Sequence, residues 1–172
     1  MKKIVLTGPE SSGKTTLAEQ LAERFGTAWV PEFSREYLGQ LGRTYVEADL
    51  VEIAKGQLAR EKAAASQNPN GLLFLDTSLE VLKIWSEVVY GRCDDWIASQ
   101  WKASLPDFYL LCLPDLPWEY DPLRENPHDR DLLLERYRRE IRAIGVPCSE
   151  VGGSGMKRFE LAANAVNHFL KN

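Results

Sequence analysis

Apolar residues along the chain alternate between two rhythms. Residues 2–7, Lys-Lys-Ile-Val-Leu-Thr, form a short β-branched run suited to a buried strand. Across residues 15–25 the period changes to helical: Leu17, Leu21, Ala22 and Phe25 share one face, and Gly26 stands just past the end. Residues 27–30 form a short strand candidate, and residues 48–67 a long helix with Leu50, Ile53, Ala54, Gln57 and Leu58 along one side. Asn68-Pro69-Asn70-Gly71 stops that helix. Residues 72–75 are continuously apolar and end in Asp76, as expected of a central strand covered on both faces. Two helices follow. In residues 78–90, Leu82, Trp85, Val88 and Val89 share a face before Gly91; in residues 93–104, Ile97 and Trp101 do so, with Leu105 just beyond. Residues 108–113 are a further apolar strand. Residues 147–151 are a weaker one, and Pro147 suits an edge because proline cannot donate to a ladder. A last helix over residues 156–170 turns Phe159, Ala162, Ala163, Val166, Phe169 and Leu170 inward and leaves His168 off the stripe. Strand and helix alternate throughout, with no internal repeat and no flexible linker, so an α/β fold with a parallel sheet is expected.

Between the first strand and the first helix lies Gly8-Pro9-Glu10-Ser11-Ser12-Gly13-Lys14-Thr15-Thr16, which has the form G-x-x-x-x-G-K-[ST]. A polyphosphate needs backbone N–H groups pointing inward with no side chain blocking the approach, and glycines at the two fixed positions permit that. Lys14 brings a compact positive charge to the terminal phosphates. The Thr15 hydroxyl can ligate Mg²⁺, and the helix that follows presents its positive end to the anion. Strand, loop and helix occur in the order a P-loop requires, so residues 8–16 are expected to bind ATP.

Composition narrows the rest. A chain of 172 residues, 44% hydrophobic and 27% charged, suffices for one domain with a sizeable core. The net charge of −4 gives no general attraction to nucleic acid or to an anionic membrane. The apolar stretch behind Lys2 and Lys3 is too short for a signal peptide, and no run approaches a membrane span. Cys93, Cys112 and Cys148 are odd in number, widely spaced and without a C-x-x-C pair. They read as reduced thiols of a cytoplasmic protein.

Three further places can carry chemistry. Asp76, at the carboxyl end of an apolar strand, can hold Mg²⁺ opposite Thr15 as a Walker B carboxylate does, or accept a proton from a substrate hydroxyl; the plainer alternative is a helix N-cap. Glu32 and Arg35, in Glu32-Phe33-Ser34-Arg35-Glu36, lie just beyond the second strand on the same sheet edge as the P-loop. Glu32 suits the carboxylate beside an attacking hydroxyl and Arg35 a positioning group, against the alternative of an exposed helix start with a weak ion pair. Residues 114–130 form a long connection with Pro114, Pro117, Pro122 and Pro127, which can act as a lid. Asn126 can cap a helix begun by Pro127, leaving Arg124 and Arg130 on either side to close over phosphoryl oxygens. His128 reads as structural. Arg136-Tyr137-Arg138-Arg139, interleaved with Glu135 and Glu140, reads as a solvated helix face with Leu133, Tyr137, Ile141 and Ile144 inward.

The P-loop, Pro-Glu-Phe-Ser-Arg-Glu-Tyr, Phe-Leu-Asp-Thr, the glycine after a tryptophan-containing helix and Leu-Arg-Glu-Asn-Pro-His-Asp-Arg together resemble the ribosylnicotinamide kinase-like P-loop ATPases. Members occur alone or as the C-terminal domain of a bifunctional NAD-biosynthesis and regulatory protein. The resemblance runs over almost the whole chain. It implies an adenylate-kinase-like core, a five-stranded parallel sheet in order 2-3-1-4-5 with helices on both faces, and a lid after the fourth strand. It also implies ATP- and Mg²⁺-dependent phosphorylation of nicotinamide riboside to nicotinamide mononucleotide. Lys14, Glu32, Asp76, Arg124 and Arg130 are then the expected catalytic set, with Arg35 and Glu32 on the substrate and Thr15 and Asp76 on the metal. No adenylyltransferase or DNA-binding extension is expected on the chain, which leaves room for a partner that supplies those functions. A module that binds nucleotide and switches a contact without phosphoryl transfer is the other class the P-loop serves, and a kinase for a different nucleoside a third possibility. The poised carboxylate at Glu32 favours a kinase. Nucleic-acid processing is disfavoured by the acidic balance and the lack of a basic stripe.

Overall fold

The computed structural model describes residues 1–68, 70–123 and 128–171. Five parallel strands, β1 (Lys2–Thr7), β2 (Ala28–Val30), β3 (Leu72–Asp76), β4 (Phe108–Cys112) and β5 (Cys148–Val151), form one sheet in the order β2-β3-β1-β4-β5. This is the strand order implied by the motif resemblance. The helices among the described residues are α1 (Lys14–Phe25), α2 (Phe33–Leu41), α3 (Glu47–Gln67), α4 (Leu79–Tyr90), α5 (Asp95–Ala103), α6 (Arg130–Ile144) and α7 (Gly155–Lys171).

Strand alternation divides the core between the two faces of the sheet. Ile4, Leu6, Phe74 and Leu110 point to one face and meet Leu17 and Leu21 of α1 and Ala162 and Val166 of α7. Val5, Leu73, Leu75, Tyr109 and Leu111 point to the other and meet Ile84 of α4 and Leu133, Tyr137 and Ile141 of α6. Leu50, Ile53 and Ala54 of α3, Leu79 and Leu82 of α4, and Ile97 and Trp101 of α5 form a further cluster beside the second layer. β3 and β4 are buried at every residue, which explains the apolar runs that make up all of β4 and all of β3 up to Asp76. β5 pairs on one side only, and Pro147 precedes it on the sheet edge.

Several local expectations change. The stretch after β2 is a helix of its own, α2, whose partly buried side, Phe33, Tyr37 and Leu38, packs on the α3–α4–α5 cluster. Val88 and Val89 are not core: they are 38% and 44% exposed, while Ile84 and Ser86 take the inward positions. Leu170 is 41% exposed because the inward stripe of α7 drifts past it. The helix expected from Asn126 and Pro127 begins at Arg130, with Asp129 at the cap position and no side-chain cap bond. Arg124, Glu125, Asn126 and Pro127 lie outside the described residues.

The second layer also encloses carboxylates. Glu80 is fully buried and accepts from the Tyr109 hydroxyl at 3.4 Å, which in turn accepts from Trp101 Nε1 at 3.4 Å. Burial pushes the Glu80 and Glu61 carboxyls up to about 7. A carboxyl raised on folding adds stability below its unfolded value and loses it as pH rises through its folded value. Between about pH 5 and about pH 8 the thermal midpoint of the wild type should therefore fall more steeply than that of Glu80→Gln. Parallel pH profiles in a thermal melt series would show that Glu80 titrates as an ordinary glutamate.

Candidate functional site

β1 delivers the chain to the carboxyl edge of the sheet at Thr7, where the loop of residues 8–13 begins. Gly8 has φ +130°, and a Cβ there would lie 2.5 Å from the carbonyl oxygen of Cys112, so the loop is pressed against the end of β4. Gly13, at φ +73°, caps α1, and a Cβ there would meet Leu116 Cδ1 at 2.9 Å. Ser11 adopts φ +54°, a left-handed conformation that few non-glycine residues take. Ser12 Oγ donates to the Pro9 carbonyl at 2.7 Å, and Lys14 Nζ donates to the carbonyls of Gly8 and Pro9 at 2.9 and 2.8 Å.

The loop forms one wall of a cavity of about 430 Å³, lined along that side by every residue from Gly8 to Leu17. Glu32 and Arg35 at the start of α2 line it as well. Val81, Trp85 and Val88 of α4 add an apolar wall, and Leu116, Pro117 and Glu119 of the β4–α6 segment lie above. The exposure of Val88 thus has a reason: it faces this cavity. Trp85 is held edge-on to Tyr45, with ring centroids 4.9 Å apart, and donates from Nε1 to the Tyr45 hydroxyl at 3.0 Å.

Asp76 and Thr15 meet as their sequence positions suggest. Thr15 Oγ1 donates to Asp76 Oδ2 at 2.6 Å. Asp76 Oδ1 is buried with no partner among the described residues. Burial raises the Asp76 carboxyl, opposed by the Lys14 charge and the Thr15 hydroxyl. The helix-cap alternative does not hold, since Ser78 occupies the cap position of α4. Two hard oxygens in this arrangement suit a Mg²⁺ ion that takes its other ligands from water and phosphate. Among the described residues no group of three or more acidic, histidine or cysteine side chains could hold a metal by itself.

Glu32 sits at the cap position of α2 with its side chain 22% exposed, into the cavity. Burial raises its carboxyl first, and the Asp76 charge raises it further, against the opposing Lys14, Ser34 and Arg35. Gln57 of α3 fixes the local backbone: its Oε1 accepts from the Phe33 N–H at 2.9 Å. Arg35 lines the cavity but is engaged, donating from Nη1 to Asp121 Oδ2 at 2.7 Å, with Nε 3.9 Å from Glu32 Oε2. It links the α2 side of the cavity to the β4–α6 segment.

Of the two arginines expected on the lid, Arg124 lies outside the described residues. Arg130 does not line the cavity. Its Nη1 donates to the Leu116 carbonyl at 3.0 Å and the Ser11 carbonyl at 3.4 Å, and its guanidinium lies 5.7 Å from the Trp118 ring centroid. The same segment is fastened to the loop through Ser11 Oγ, which donates to the Pro117 carbonyl at 3.3 Å and accepts from the Glu119 N–H at 3.0 Å. Sequence reasoning singled out neither Arg158 of α7, which lines the cavity although it is 4% exposed, nor Tyr45, which stands outside its lining and supports Trp85. Arg158 had a readable signal: it stands at i of the i, i+4, i+8 stripe completed by Ala162 and Val166.

A family model described as an AAA domain matches residues 3–158. The trifunctional NAD biosynthesis/regulator protein NadR of Escherichia coli strain K12 is 28% identical over 128 residues, which is 72% of this chain and 31% of that protein. The chain thus spans about a third of the length of that relative. Solved structures of NadR superpose with a TM-score of 0.77 for the complex with NR, at 20% identity, and 0.73 for the complex with NAD and AMP-PNP, at 21% identity. Each covers 99% of this chain and 50% of the other. Deoxyadenosine kinase from M. mycoides superposes with a TM-score of 0.65 at 14% identity over 96% of this chain and 99% of that one. These agree with the motif resemblance, and the fold is that of P-loop kinases.

The α2–α3 contact gives a structural test of how Glu32 is held. Gly56 of α3 faces the Phe33 ring so closely that a Cβ would run into it. Gly56→Ala should gain about 0.5–1 kcal/mol of helix propensity, yet net destabilise by about 1–2 kcal/mol because the ring must move. Smaller Phe33→Leu in the same chain should recover part of that loss. Urea unfolding of the single and double variants decides. A stabilised Gly56→Ala would show that Phe33 yields freely.

Proposed function

The chain belongs to the AAA domain family, and from that membership we propose that it is an ATP-dependent kinase for a ribonucleoside, with nicotinamide riboside as acceptor and nicotinamide mononucleotide and ADP as products. The observation that carries this reading is that one cavity is lined by a complete P-loop, by the Glu32 carboxylate and by the apolar side chains of α4. The NadR likeness over most of the chain supports the choice of acceptor.

In this reading the backbone N–H groups of residues 8–16 and the Lys14 ammonium bind the triphosphate. Thr15 Oγ1 and the Asp76 carboxylate would hold Mg²⁺, directly or through water; when bound it neutralises phosphate charge. Asp76 is already committed to Thr15, so Glu32 is the group left to orient the acceptor hydroxyl and take its proton. Val81, Trp85 and Val88 offer a flat apolar surface to the base. Arg35, with Glu32, steadies the sugar end. Catalysis is then mostly alignment of the hydroxyl with the γ-phosphorus and shielding of charge. Arg124 and Arg130 serve the lid: Arg130 by holding loop carbonyls, Arg124 by reaching the phosphoryl oxygens.

Glu32→Gln should lower kcat on the order of 10²- to 10⁴-fold, as loss of a general base does. Its ATP affinity should stay near wild type. Steady-state kinetics with nicotinamide riboside, adenosine, uridine and thymidine as acceptors check both parts. Strong turnover of uridine or thymidine without nicotinamide riboside would overturn the acceptor. Unchanged kcat in Glu32→Gln would return the base role to Asp76. ATP binding with no acceptor phosphorylated would favour a nucleotide-gated module.

A further inference from the structure

Arg158 enters the nucleotide side of the cavity from the first turns of α7, and its side chain is 5% exposed. A buried guanidinium is costly unless its donors are satisfied, so its partners matter. Nη2 donates to the Ser12 carbonyl at 2.6 Å and the Leu113 carbonyl at 3.1 Å. Nη1 donates to Asp115 Oδ1 at 2.7 Å and the Gly153 carbonyl at 2.9 Å. Asp115 Oδ2 in turn accepts from the Gly153 N–H at 2.5 Å. One side chain therefore joins the P-loop, the residues just after β4 and the β5–α7 turn; Gly155, which opens α7, also lines the cavity.

The bond to Ser12 has a directional consequence. No peptide among the described residues is cis. In a trans peptide the carbonyl of one residue and the N–H of the next point in opposite directions. Holding the Ser12 carbonyl toward Arg158 therefore turns the Gly13 N–H the other way, away from that guanidinium. Gly13 leaves that donor unobstructed, and a Cβ there would lie 3.9 Å from Arg158 Nε. Nε itself is buried with no partner among the described residues. The guanidinium's positive charge thus lies beside the Ser12–Gly13 peptide at the edge of the cavity.

We infer that Arg158 is a positioning residue for the phosphate cradle: it sets the Gly13 N–H toward bound phosphate and locks the P-loop to the β5–α7 turn. The inference rests on the reading of the loop as a triphosphate site. Lysine cannot substitute, because a single ammonium does not span carbonyls in three segments as a planar fork does.

The test is calorimetric binding of Mg-ATP, Mg-ADP and nicotinamide riboside to wild type, Arg158→Lys and Asp115→Asn, with ligand-free melting curves for each. Arg158→Lys should weaken ATP and ADP on the order of tenfold or more, the worth of a lost charge-assisted hydrogen bond. Nicotinamide riboside affinity should not change, and ATP KM should rise more than kcat falls. Asp115→Asn, which loosens one side of the fork, should give a smaller loss in the same direction. A merely structural arginine would lower the melting midpoint and leave the ATP dissociation constant alone. That result, or equal weakening of ATP and the nucleoside, overturns the inference. Should Arg158→Lys fail to fold, unchanged ATP binding in Asp115→Asn overturns it. Failure of the wild type to bind ATP would instead remove the triphosphate reading on which it stands.

Discussion

The site depends on where the carbonyls of the P-loop are anchored. A loop whose N–H groups face an anion must turn carbonyls elsewhere, and those oxygens need donors. Here Arg158 takes the Ser12 carbonyl and Arg130 the Ser11 carbonyl, while Ser12 Oγ and Lys14 take that of Pro9. The left-handed Ser11 persists within this set of contacts. Much of the ordering cost of the cradle is thus met by the fold before any ligand arrives, which is the sense in which such a loop is preorganised.

The sheet order brings the remaining groups to that cradle. β1 lies between β3 and β4, so the P-loop leaves the sheet beside Asp76 on one side and the β4–α6 segment on the other. β2 flanks β3, which brings Glu32 into the cavity that Lys14 also lines. The two ends of the cavity are also mechanically linked. Arg35 ties α2 to Asp121, and Ser11 ties the loop to Pro117 and Glu119, so both meet the same segment. Movement of that segment would be felt by the loop and by α2 together.

Much of this was legible in the residues. The P-loop spacing located the cradle, and the apolar run ending in Asp76 located its carboxylate beside Thr15. The strand order came from the family resemblance, since periodicity identifies strands but not their neighbours. What escaped depends on contacts distant in sequence. Val88 and Val89 fit an inward helical face, but Val88, one turn beyond Ile84 on the same face, borders the cavity where Ile84 also reaches the core. α2 is short and polar, and its apolar residues acquire meaning only against α3 and α4. Arg130 read as a phosphate-reaching arginine because sequence shows its charge and not the backbone oxygens that take it. Arg158 stands on the apolar stripe of α7 with Ala162 and Val166, but the carbonyls it meets come from segments far away in the chain.

The central claim is that one cavity passes a phosphoryl group from ATP to a ribonucleoside hydroxyl. Phosphorus NMR of the purified chain with Mg-ATP and nicotinamide riboside observes this directly. The account predicts that the γ-phosphate resonance is replaced, in equal amount, by a phosphomonoester resonance, with ADP accumulating, and that Lys14→Ala shows neither. Loss of the γ-phosphate to inorganic phosphate with no phosphomonoester, or no change at all while ATP is bound, would contradict it.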